Sequence, residues 1–153
     1  MAVEKTLVLI KPDGQKRKLT GLAIDRLEHS GFEMVAAKVV PVTKQLAEAH
    51  YESLKDKPFF PNLIKFFMGE FHGLKNCRIL ALIYKGENAI AGIRSIVGAT
   101  NPEEADPSSI RGSFGKISPS TGIMENVVHA SGNAADAERE IALWFKKDEI
   151  AGI

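Results

Sequence analysis

Apolar positions along the chain follow two rhythms. Thr6-Leu-Val-Leu-Ile10 and the Ile79-Leu-Ala-Leu-Ile83 run within residues 77–84 are short, continuous and partly β-branched, which predicts buried strands. The first stops at Lys11-Pro-Asp-Gly14, a turn signature. Elsewhere the spacing is helical. Ala23, Ile24 and Leu27 share a face behind a possible Thr20 cap, with Gly31 to end the helix. Leu46, His50 and Leu54 follow Thr43, and Leu63, Phe66 and Phe67 follow the Pro58–Asn62 turn. Ile90, Ile93 and Val97 recur after Asn88, while Ala134, Ala137, Ile141 and Trp144 recur behind Asn133. Residues 33–42 are β-rich, and Asn126-Val-Val-His129 reads as a short strand.

Between the last two helical patterns, residues 99–125 hold three of the seven prolines and no sustained periodicity. A loop of that length inside a compact domain is usually functional or disordered. The order is therefore β-α-β-α-α-β-α-loop-β-α. Without the additions it reduces to a ferredoxin-like βαββαβ core of the α+β class, with helices expected over one face of an antiparallel sheet. The extra helices and the long loop before the last strand are decorations on it. No repeat or linker divides residues 1–153, so one domain is expected.

Composition narrows the function classes. A chain of 153 residues with 44% hydrophobic and 25% charged positions is neither disordered nor low in complexity. Twenty basic against nineteen acidic side chains give +1, so no basic excess marks nucleic acid or anionic lipid, and any anion site must be local. The single cysteine, Cys77, excludes an internal disulfide and suits a reducing compartment. The apolar run before Lys11 is too short for a signal peptide or membrane span. These features predict a cytoplasmic protein.

Familiar chemical motifs fail. Gly112-Ser-Phe-Gly-Lys116 lacks the glycine and the Ser or Thr that a P-loop needs at Ile110 and Ile117. There is no G-x-S-x-G elbow, and His72 with Cys77 is short of a structural zinc set. What stands out is Asn126-Val-Val-His129-Ala-Ser131-Gly-Asn133, a histidine at a strand end just before a helix N-terminus that suits an anion. A mostly neutral imidazole is a nucleophile without an activating base.

These residues, taken with Lys11-Pro-Asp-Gly14, the His50–Phe60 stretch, Gly98–Pro102, Ile110-Arg-Gly112 and the Glu140–Phe145 stretch, resemble the nucleoside diphosphate kinases. The resemblance runs from Lys5 to about Glu149. It implies ping-pong transfer of a γ-phosphate, mainly from ATP, to a nucleoside diphosphate through a phosphohistidine on His129, keeping triphosphate pools balanced. Lys11, Arg94 and Arg111 would bind phosphate, Thr100 would donate to the β-phosphate, and Asn126 would contact sugar and phosphate. Phe59 would stack on the base and Leu63 would cover it. Around His129, Glu140 would orient the ring, Tyr51 would help position it, and Ser131 belongs to the same catalytic set. Mg²⁺ is the implied cofactor, held mainly through nucleotide phosphates and water rather than by a protein metal site. A homohexamer is the implied assembly, with a tetramer as the alternative.

The chain departs from that family in three places. Members usually carry Asp where this chain has Gly132 and Ser113, which predicts a phosphate site short of two carboxylates and an altered metal affinity or nucleotide preference. The stretch Gly69–Cys77 is longer than the usual turn, and the chain stops at Ile153 without the tail many relatives use to grip a neighbour; together these bear on assembly. A competing reading is a ferredoxin-like module that binds nucleotide or single-stranded nucleic acid and performs no chemistry. Its aromatics should lie on the strands, whereas here they cluster at 59–71. A third reading, an inactive family member, has retained His129 and Lys11 against it.

Overall fold

A computed structural model describes residues 2–153. Four strands, β1 (Val3–Ile10), β2 (Glu33–Pro41), β3 (Arg78–Glu87) and β6 (Val128–Ala130), form an antiparallel sheet in the order β2-β3-β1-β6. The central pair aligns Leu9 with Ala81, and the opposite neighbour of Leu9 is His129. This is the ferredoxin-like arrangement expected. Helices α2 (Thr20–Glu28) and α5 (Ala89–Val97) are its two crossover connections.

One expectation is corrected. Helices cover both faces of the sheet, not one. Leu7, Leu9, Ile79, Ala81 and Ile83 pack with Ala47 of α3 (Lys44–His50), Phe67 of α4 (Phe60–Phe67) and Ile141 and Trp144 of α7 (Ala134–Trp144). On the other face Val8, Ile10, Leu82 and Tyr84 meet Ala23 and Leu27 of α2 and Ile93 and Val97 of α5. The reason lies in the strands. Successive side chains alternate between faces, so a continuous apolar run leaves greasy surface on both and needs cover on both. Truncating the fully buried Leu9 to alanine would cost about 2–5 kcal/mol.

The long segment before the last strand is also more ordered than its sequence implies. It contains α6 (Ile110–Phe114) and a small hairpin of β4 (Lys116–Ile117) with β5 (Met124–Glu125). Ser109 caps α6, its hydroxyl accepting from the Gly112 amide at 3.1 Å. A side chain at Gly112 would collide with the Asp106 carbonyl. A five-residue helix and two-residue strands are too short for a hydrophobic period to repeat, so no pattern announces them. Likewise the Lys-Pro-Asp-Gly turn opens α1 (Pro12–Lys16), with proline in its first turn.

Thr43 and Asn133 cap their helices with their side chains, whereas Asn88 takes the N-cap place of α5 without a side-chain cap bond. Thr43 accepts from the Leu46 amide at 3.1 Å and Asn133 from the Asp136 amide at 2.8 Å. Thr20 instead lies inside α2, behind Leu19. The last strand begins at Val128, later than expected, because Val127 has φ +72°, outside strand geometry.

Candidate active site

The route to His129 is set by its backbone. Val127, a β-branched residue held in the left-handed region, costs of order 1–3 kcal/mol unless its surroundings impose that shape. They do. The Lys11 amide donates to the Val127 carbonyl at 2.8 Å, and the fully buried Asp13 accepts from the Val127 amide at 2.8 Å. A Cβ at Gly14 would stand 2.8 Å from Val127 Cγ1 and 2.9 Å from its carbonyl oxygen, so only glycine lets α1 approach this closely. The Lys11–Gly14 run is thus a clamp that aims β6. Sequence reasoning recognised the run but missed the part played by Asp13, whose signal was its fixed place within it.

His129 is half-buried, and its Nε2 lies 2.8 Å from Glu140 Oε1. The same oxygen accepts from Ser131 Oγ at 2.8 Å, and Ser131 accepts from the Leu7 amide at 3.2 Å. Burial alone would raise the Glu140 carboxyl. Hydrogen bonds from His129 and Ser131, and the charges of His129 and Arg139, outweigh it and hold Glu140 below the usual carboxylate range. An ionised carboxylate only accepts, so the His129 proton belongs on Nε2. Nδ1 keeps its lone pair and makes no hydrogen bond among the described residues.

His50, to which the sequence assigned no role, stands edge-on to His129 with ring centroids 4.5 Å apart. Its Nδ1 accepts from Trp144 Nε1 at 3.1 Å. Burial, then the charges of His129, Arg139 and Lys11, push its pKa well below the ordinary imidazole value, so it is a neutral wall. Arg139 donates to the Ala49 and His50 carbonyls and pins that end of α3. Tyr51 packs edge-on against His50 at 4.7 Å and Phe67 at 5.1 Å, and burial drives its phenol pKa up. Its link to His129 therefore passes through His50.

A cavity of about 740 Å³ opens beside His129. Lys11, Arg94, Thr100, Arg111 and Asn126 line it together, and Phe59 and Leu63 add apolar lining. The buried Lys11 donates to Asn126 Oδ1 at 2.6 Å, and Asn126 donates to the Thr100 carbonyl at 2.9 Å. Burial lowers the Lys11 pKa to about 8; Arg111 adds to the fall, while Asp13 and Glu125 oppose it. Arg111 donates to the Val128 carbonyl at 2.9 Å and the Gly98 carbonyl at 3.0 Å. Burial, helped by Arg94, brings its pKa down to about 10, still a cation at neutral pH. Three cations lining one concave site suit a polyphosphate.

The two missing carboxylates have different standing. Ser113 is outside the cavity lining, donating to the Pro107 carbonyl at 2.7 Å. Gly132 does line it, and a Cβ there would stand 3.1 Å from Asp136 Oδ2 and 4.0 Å from Arg94 Nη1. Asp136, one helical turn on, thus puts a carboxylate beside the gap, which the sequence reading did not foresee. Among the described residues the one cluster able to hold a metal ion is His50, His129 and Glu140, with ligand atoms within 4.8 Å. Two imidazoles and one carboxylate are a poor set for Mg²⁺, which prefers oxygen.

Comparison with known proteins agrees with this geometry. Residues 4–150 match the family model described as nucleoside diphosphate kinase. The nucleoside diphosphate kinase of Methanocaldococcus jannaschii is 44% identical over 147 residues, covering 96% of each chain. A nucleoside diphosphate kinase from Borrelia burgdorferi, solved as a transition-state mimic with vanadate and ADP, superposes with a TM-score of 0.85 at 37% identity, over 99% of this chain and 92% of that one. One from Halobacterium salinarum in complex with CDP gives 0.84 at 35% identity, over 97% and 91%. With a match over nearly its whole length, the chain belongs to the nucleoside diphosphate kinase family of phosphotransferases.

Proposed function

We propose that His129 is phosphorylated at Nδ1 by a nucleoside triphosphate, mainly ATP, and passes the phosphoryl group to a nucleoside diphosphate. The observation that carries this is the Nε2–Glu140 hydrogen bond, which leaves the Nδ1 lone pair for chemistry in a ring beside three cations. The lone pair attacks the γ-phosphorus, the N–P bond forms, and the bridging P–O bond breaks with its electron pair going to the departing diphosphate. The ring becomes an imidazolium that keeps its Nε2 proton, and the Glu140 carboxylate stabilises that charge. A β-phosphate oxygen of the acceptor then attacks phosphorus and restores the neutral ring. Lys11, Arg94 and Arg111 balance charge on the equatorial oxygens, while Thr100 and Asn126 orient the phosphates and sugar. Phe59 and Leu63 offer apolar cover that reads no base pattern, consistent with service to many nucleotides.

Asp136 lines the cavity as an oxygen donor, which fits Mg²⁺ brought in on the nucleotide and held mainly by phosphates and water. Bound there, Mg²⁺ would neutralise phosphate charge. A cytoplasmic homohexamer balancing triphosphate pools completes the reading, and light scattering on the purified protein checks the subunit number. No helix among the described residues is long and apolar enough to cross a membrane.

The test is labelling by γ-labelled ATP with Mg²⁺ and no acceptor, followed by a GDP chase. An acid-labile, base-stable phosphoprotein that needs His129 and chases into GTP is expected. Binding without label in the native chain would instead favour the nucleotide-binding module.

A further inference from the structure

The turn at residues 69–77 has no part in the chemistry above and lies outside the cavity lining, yet its His72 meets Glu125, the neighbour in sequence of the lining residue Asn126. We propose that His72 is a positioning residue for phosphate binding, which by holding the Glu125 carboxylate fixes Asn126 and keeps Lys11 free to meet an incoming phosphate. This rests on the reading that Lys11 binds the nucleotide's phosphates.

Two contacts link His72 to Lys11. His72 Nε2 lies 2.6 Å from Glu125 Oε1, with side chains only 13% and 9% exposed. Glu125 immediately precedes Asn126, whose Oδ1 accepts from Lys11 Nζ at 2.6 Å. The Phe66 ring forms the second bridge, meeting the His72 ring edge-on at 5.3 Å and lying under Lys11 Nζ at 5.0 Å. The turn that carries His72 is shaped to deliver it. Gly69 and Gly73 sit at φ +82° and +64°, and a Cβ at Gly69 would stand 2.8 Å from Leu74 Cβ and 3.1 Å from Cys77 Cβ.

The electrostatics explain why the contact matters. Among the described residues the one cation in ion-pair reach of Glu125 besides the His72 ring, Lys116, is 3.9 Å away and half-exposed, an arrangement worth little. Without His72 a buried carboxylate loses its close donor, which is costly. Lys11 is a buried cation already within reach of the Glu125 charge. Paired with it, Lys11 would be less available to phosphate. The charged groups that act on Lys11 are Asp13 from α1, Arg111 from α6 and Glu125 from β5, and His50 of α3 stands within its field. Glu125 is the member that the turn controls.

The test is ADP binding by calorimetry across pH, in the native chain and in His72→Ala, His72→Gln and Glu125→Gln, with thermal melts to confirm folding. His72→Ala should weaken ADP binding about fivefold or more. Glutamine puts an amide nitrogen where the imidazole Nε2 stands, so His72→Gln should recover most of that loss. Glu125→Gln removes a negative charge that helps Lys11 keep its proton, so the alkaline loss of binding should begin at lower pH than in the native chain. A general loosening of the fold would move neither the rescue nor the pH profile. Equal binding by His72→Ala and the native chain, or an unmoved alkaline limb in Glu125→Gln, would overturn the inference. Since binding is read directly, a chain that binds ADP but never labels His129 defeats the transfer mechanism without deciding the part played by His72.

Discussion

The polar and the apolar residues of the cavity lining are built on different plans. Among the polar ones Lys11, Arg111, Asn126 and Glu140 are buried and hydrogen-bonded to partners on other elements, while Arg94 and Thr100 are exposed. Among the apolar ones Phe59 is 52% exposed, and it offers a ring face with no fixed polar partner. The contrast teaches what each set is for. Transferring charge between atoms needs groups held before the substrate arrives. Covering a base needs only area, which tolerates a loose wall and a varied ligand.

Predictions that break the buried polar set should therefore act on turnover, and those that break the apolar set on binding. Lys11→Ala should have the largest effect, lowering kcat/KM about 100- to 1,000-fold in a steady-state assay, with most of the loss in kcat. Glu140→Gln keeps the shape but removes the charge opposite the imidazolium, so a loss of about 10- to 100-fold in kcat is expected. An unchanged kcat would remove Glu140 from the mechanism. Phe59→Ala should raise KM about 5- to 20-fold, the worth of one base stack, and leave kcat at saturation close to native.

Smaller effects come from pH. Lys11 loses its proton near pH 8, so kcat/KM should fall as pH rises through that value. His50 carries the opposite sign for stability. Its folded pKa is depressed well below 6.5, so below about pH 6.5 the unfolded chain takes up a proton that the folded chain refuses. Stability should fall as the medium is acidified through that range, measured by denaturant titration with Trp144 fluorescence. The smallest change expected is from Gly132→Asp. The Cβ of the new side chain would stand 3.1 Å from Asp136 Oδ2, which adds a second carboxylate to this corner, and the Mg²⁺ concentration giving half-maximal rate should shift a few-fold with kcat retained.

Much of the framework was legible in the sequence. The continuous apolar runs marked the central strands, and Asn133 marked the start of α7, because a side-chain cap is a local property. The expected site residues were read from motif resemblance, and the structure brings all but the fully buried Ser131 to the wall of one cavity, with Ser131 bonded behind it to Glu140. Less visible were the relations between motifs. Nothing in Val127 itself signals a left-handed backbone, since valine resists it; the conformation is imposed by Asp13 and Lys11, more than a hundred residues away. The pairing of His72 with Glu125 spans 53 positions and follows no period.

By itself, then, the sequence determined the four strands of the main sheet and the principal helices, the ferredoxin-like order and the set of chemically able side chains, because hydrophobic period, caps and motif spacing are written locally. Only the tertiary structure decided which ring nitrogen of His129 stays free, that both sheet faces are covered, and that Asp136 stands beside the glycine gap. Those outcomes depend on distances between residues far apart in the chain, and such distances exist only after the two hydrophobic clusters have packed.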